Sequence, residues 1–118
     1  MNEELLKLIE REVLGWAEVF KKRDEDGPGG VGVTVCGLGR KQIGHVHKDG
    51  HADFRFPKKV RDALIRSGQA ISHPAFPNSQ TTVSYRIRSA EDVTEALELF
   101  RISYERTAAR DEREGATI

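Results

Sequence analysis

Three of the four histidines in this 118-residue chain, His45, His47 and His51, fall within seven positions, and Asp53 follows two residues on. Imidazole and carboxylate at that density support three kinds of chemistry: holding a divalent metal, moving a proton, or binding an anion. His45 and His47 are two apart, so on a strand both project to one side. The fourth histidine opens His73-Pro74-Ala75-Phe76-Pro77-Asn78-Ser79, a loop whose prolines hold the residues before them extended. Further along, Ser84, Arg86 and Arg88 alternate with Tyr85 and Ile87.

Each chemistry asks for a different set of partners. In a metal site, the basis of a metal-dependent enzyme using His45 and His47, Asp53 or His73 would join them as nitrogen and oxygen ligands. In an anion site, Arg55, Arg86 and Arg88 would fork onto carboxylate or phosphate, with imidazole adding a proton or a hydrogen bond. The anion could be a small molecule or a nucleic-acid backbone. Nucleic acid is disfavoured, because no aromatic residue is expected on this face to stack on bases. The bland alternative is a solvated surface of Arg–Asp pairs. Catalysis asks for more. A histidine beside Asp53 could act as a general base and Ser79 or Ser84 as a nucleophile, but no spacing links them into a triad. The preferred reading is an anion site without metal. The residues alone assign no reaction and no cofactor.

The elements that must position these groups are legible in outline. Leu5, Ile9, Val13, Trp16 and Phe20 recur at three and four, which predicts a helix over residues 2–23. Gly-Pro-Gly-Gly within 24–30 is a connector; it lacks the Gly-Lys-Ser/Thr ending of a phosphate loop. Val31, Val33 and Val35 alternate as a strand, and Gly37 and Gly39 mark a bulge or turn after it. Residues 43–47 form a strand. Lys48-Asp49-Gly50 makes a tight turn, with Gly supplying positive φ. Ala52, Phe54 and Phe56 then share one face of the returning strand, and His51, Asp53 and Arg55 the other. Pro57 opens a helix that Gly68 ends. Residues 70–72 are a short extended piece and 81–88 a strand. Ser89 caps the last helix, with Asp92 three residues on, and Val93, Ala96, Leu97, Phe100 and Tyr104 form its stripe.

Hairpin links imply an antiparallel sheet, and helices with one apolar stripe each should cover one face of it. The expected architecture is a two-layer α+β domain over residues 1–110, an antiparallel sheet with three helices packed on one face, followed by a frayed polar tail at 111–118. Burying Phe54 and Phe56 leaves His45, His47, His51, Asp53, Arg55, Ser84, Arg86 and Arg88 on the opposite, open face.

Composition narrows the class. Hydrophobic residues make up 37% and charged residues 32%, with 19 of each sign, so any nucleic-acid role must come from local charge. The lone cysteine, Cys36, excludes an internal disulfide and a Cys-based zinc ribbon, and its apolar surroundings predict an inert thiol. No segment approaches the roughly 20 apolar residues of a membrane span, and no signal peptide is visible behind Glu3 and Glu4, so a cytoplasmic location is expected.

Three stretches together resemble a known family. They are Gly44 to Gly50 with Ala52-Asp53 and Phe56-Pro57; Arg61-Asp62-Ala63-Leu64 to Gly68, with Ala70 and His73-Pro74; and Ser84 to Ser89 with Asp92-Val93, Ala96 to Leu99 and Arg101 to Arg106. Over residues 35–106 the chain is similar to the luciferase-domain family of small "luciferase family" proteins. The resemblance implies no assigned reaction and is no proof of light emission, since this domain has room for neither a flavin barrel nor an adenylating enzyme. It covers His45, His47, Asp53, His73, Arg86 and Arg88. His51 and Asn78-Ser79-Gln80-Thr81 depart from the family pattern.

Overall fold

The computed structural model describes residues 3–24, 33–39 and 41–116. The Gly-Pro-Gly-Gly connector and Val31 lie outside the described residues. In chain order the elements are α1 (Glu3–Leu14), β1 (Val19–Asp24), β2 (Val33–Leu38), β3 (Lys41–Val46), β4 (His51–Arg55), α2 (Lys58–Arg66), β5 (Ile71–Ser72), β6 (Thr82–Arg86) and α3 (Ala90–Ala116). The strands form one sheet in the order β1-β2-β3-β4-β6-β5, with every neighbouring pair antiparallel. α3 lies over β2, β3 and β4, α1 over β1 and against α3, and α2 over β5 and β6. This is the expected α+β architecture. α3 continues helical through the polar stretch after Asp111 as far as Ala116.

The first helix is shorter than its periodicity suggests. It ends at Leu14, and the Gly15 and Trp16 amides each reach back three residues, to the Glu12 and Val13 carbonyls at 3.1 Å. Glu18 takes φ 65°, which no helix continues. The chain then reverses into an edge strand. Val19 packs on the core, while Phe20 points to the opposite side and is 44% exposed. Trp16 stays half-buried beside Tyr104, with ring centroids 5.3 Å apart. Residues spaced three and four apart satisfied a turn followed by a strand as well as they satisfied a helix.

Between sheet and helices lies one apolar cluster that includes Ile9, Val13, Val46, Phe54, Phe56, Val83, Ile87, Leu99 and Phe100. Phe54 and Phe100 meet edge-on, 4.8 Å between centroids. Gly44 makes that contact possible. A Cβ there would lie 2.6 Å from Phe100 and 2.8 Å from Phe54. The helix starts and stops follow local chemistry. Ser89 Oγ accepts the Asp92 amide at 3.4 Å, and Asp92 accepts the Arg88 amide at 2.8 Å. Gly68, at φ 81°, closes α2.

Candidate functional site

Three adjacent strands place three polar side chains in one row. In register, His45 of β3 faces Asp53 of β4, and Asp53 faces Ser84 of β6. Directly opposed residues share a face, so all three project away from the helices. The β3–β4 turn fixes the row. Gly50 takes φ 101°, the His47 amide donates to the His51 carbonyl at 2.7 Å, and Asp49 Oδ1 accepts the His51 amide at 3.0 Å. His47 thereby stays on the same side as His45, and the two rings stand edge-on at 4.9 Å.

Asp53 is the centre. Its Oδ2 lies 3.0 Å from His45 Nε2, 2.7 Å from His47 Nε2 and 3.3 Å from His73 Nε2. Its Oδ1 accepts the Ser84 hydroxyl. Asp53 is 4% exposed and Ser84 fully buried. Burial opposes the charge on Asp53, but hydrogen bonds from His45 and Ser84, the nearby imidazole charge and His47 outweigh it and hold the carboxyl well below the usual range. His73 reaches in from its proline-framed loop. Its Nδ1 accepts the Ala75 amide at 3.1 Å, so the neutral ring carries its proton on Nε2, aimed at Asp53.

A bulge adds a residue that sequence reasoning missed. Cys36 pairs with Gly44 but Gly37 with Gln42, so Ile43 is the extra residue on β3. Ile43 is buried in the core cluster and a Cβ on Gly44 would also point there, which returns Gln42 to the face of His45. The Gln42 amide hydrogen-bonds His45 Nδ1. Strict alternation would have put a residue three before His45 on the wrong side.

The histidine face is partly covered, where alternation alone predicts a fully open one. β5 forms the sheet edge beside β6, and the loop after it brings His73 over Asp53. Loop and sheet line a cleft of about 910 Å³, open to solvent on one side, whose wall includes His45, His47, Asp53, Arg55, His73 and Phe76. Arg86 and Arg88, expected beside these groups, do not line it. The Arg88 amide instead caps α3 through Asp92. His51 lines the wall but turns its Nδ1 to Asp49 Oδ2 at 3.0 Å. Ser79 Oγ accepts the Thr81 and Thr82 amides, and the Ser84 hydroxyl is committed to Asp53; among the described residues neither meets a histidine as a nucleophile would. Cys36 is 1% exposed, and burial pushes its thiol up to about 11, as befits an inert core residue.

A family model described as "Luciferase domain" matches residues 40–103, more than half of the chain. The chain belongs to the luciferase-domain family. The matched part of this luciferase domain contains the whole His45, His47, Asp53, His73 and Ser84 cluster and the bulge that carries Gln42. It excludes α1 and the two strands β1 and β2 at one side of the sheet. No curated protein and no solved structure matches the chain. Among the described residues, no helix is long and apolar enough to cross a membrane.

Proposed function

We propose that this luciferase domain binds a small anionic ligand in the cavity between the sheet and the His73–Ser79 loop, using His45, His47, His73 and Arg55. The cavity volume, about 910 Å³, suits a small molecule. One observation carries the reading: the Arg55 guanidinium, in the cavity wall and exposed, has no carboxylate partner among the described residues. Asp53 and Asp49 line the cavity, but each is engaged by imidazole nitrogens. Arg55 lines the same cavity, is exposed, and follows Asp53 by two residues on the same face of β4. That spacing is roughly 6.6 Å along the strand, so a short dicarboxylate could reach both the cluster and the guanidinium. Arg86 and Arg88, outside the cavity wall, give a nucleic-acid reading no separate support.

Isothermal titration with succinate, citrate and inorganic phosphate tests this. Saturable binding at one site is expected for at least one of them, weakened about tenfold or more in Arg55→Ala, because a charge-assisted fork is lost. If none binds, with or without an added divalent metal ion, or if Arg55→Ala binds as tightly as the wild type, the proposal is wrong.

A further inference from the structure

An anion entering this cavity meets a carboxylate. Asp53 stands at the centre of His45, His47 and His73, and the nearest cavity guanidinium along its strand, Arg55, is two residues away on β4. The imidazole nitrogens also converge on a single atom. His45 and His47 Nε2 both hydrogen-bond Asp53 Oδ2, at 3.0 and 2.7 Å, and Ser84 takes the other oxygen.

We infer that His45, His47 and Asp53 form a binding site for a divalent transition-metal ion, and that the metal is what holds the anionic ligand; the second half rests on the ligand site proposed above. Ligand atoms of the three residues lie within 4.8 Å of one another, close enough to share one ion. Two imidazole nitrogens and one carboxylate oxygen on one side of an ion leave the remaining positions open, here toward the cavity. The nitrogen content suits manganese, iron, cobalt or zinc better than calcium or magnesium, which take oxygen ligands.

The neighbours fit a supporting shell. His73 is not a ligand in this arrangement, because Ala75 occupies its Nδ1 and its Nε2 bears the proton. Its N–H and the Ser84 hydroxyl orient the two carboxylate oxygens. With His45 Nε2 on a metal, its Nδ1 keeps a proton and needs an acceptor. The Gln42 amide stands there and supplies one when its carbonyl oxygen faces the ring. A bound dication adds two positive charges to the centre, which removes the electrostatic objection to an anion.

The test uses the full chain, purified without a histidine tag and stripped with a chelator. Titration with Mn²⁺, Co²⁺ or Zn²⁺ should show one equivalent bound. Affinity should fall more than about a hundredfold in His47→Ala and in Asp53→Asn, and about tenfold or more in Gln42→Leu, since loss of an outer-shell partner alone costs 10–100-fold. Because those variants disturb a buried network, the wild type is also loaded with Cu²⁺ and examined by pulsed EPR, where coupling to two imidazole nitrogens is expected. Succinate should bind at least tenfold more tightly to the metal-loaded protein than to the stripped protein. Absence of stoichiometric metal binding, or an EPR signal without imidazole coupling, overturns the metal site. Metal binding with the two-imidazole signature but no acid binding confirms the site and overturns the ligand reading. Acid binding indifferent to metal supports the ligand site and overturns the inference that the metal holds the ligand.

Discussion

Ser84 and Asp53 face one another across β6 and β4, and the serine hydroxyl donates to the carboxylate oxygen that no histidine touches. Both are buried, so the contact has no water to replace it. Ser84→Ala should cost roughly 1–3 kcal/mol, the penalty for leaving a buried acceptor unsatisfied. Urea unfolding at neutral pH measures it. A change smaller than about 0.5 kcal/mol, the range of ordinary surface substitutions, would show that Asp53 does not depend on this partner.

Gly44 belongs to the same strand as His45 but serves the core. Its missing Cβ leaves room for Phe54 and Phe100, and a methyl there would sit 2.6 Å from the Phe100 ring. Gly44→Ala should therefore destabilise the fold by roughly 1–3 kcal/mol through overpacking. A variant as stable as the wild type would mean that α3 can move off the sheet without loss.

Asp92 sets the acid stability of the α3 start. The Arg88 amide, ahead of the Tyr85 hydroxyl and the Ser89 amide contact, holds its carboxyl below the ordinary value of 3.8. A carboxyl depressed in the folded state contributes stability that is present above the unfolded pKa and lost as pH falls through the folded one. Asp92→Asn should thus lower stability at pH 6 and flatten the fall in melting temperature between about pH 5 and pH 2. An acid limb as steep as the wild type's would assign that fall to other carboxylates.

The parts of this architecture readable from the chain are those with local causes. Gly50 in the Lys48-Asp49-Gly50 turn fixed the hairpin, and alternation through Ala52, Phe54 and Phe56 put His51 and Asp53 on the opposite face. Ser89 and Asp92 marked the start of α3. What escaped has non-local causes. Trp16 and Phe20 carry a helical spacing, yet the turn at Glu18 and pairing with β2 make the segment a strand. The bulge at Ile43 depends on how β2 and β3 register, and it alone brings Gln42 to His45. His73 reaches Asp53 from 20 residues away because β5 pairs with β6, and the loop that follows partly covers the face that alternation left open. Arg86 faces His51 across β6 and β4 but does not line the cavity, and Arg88 lies past the end of β6 at the start of α3.

Chemical-shift mapping tests the ligand site most directly. The ¹⁵N-labelled protein, chelator-stripped or loaded with Zn²⁺, would be titrated with succinate and its backbone amides followed. Saturating shifts should appear in at least one form and concentrate on His45, His47, Arg55, His73 and their immediate neighbours, with Arg86 and Arg88 little changed. Shifts centred on Arg86 and Arg88, or none in either form, would contradict a ligand site in this cavity.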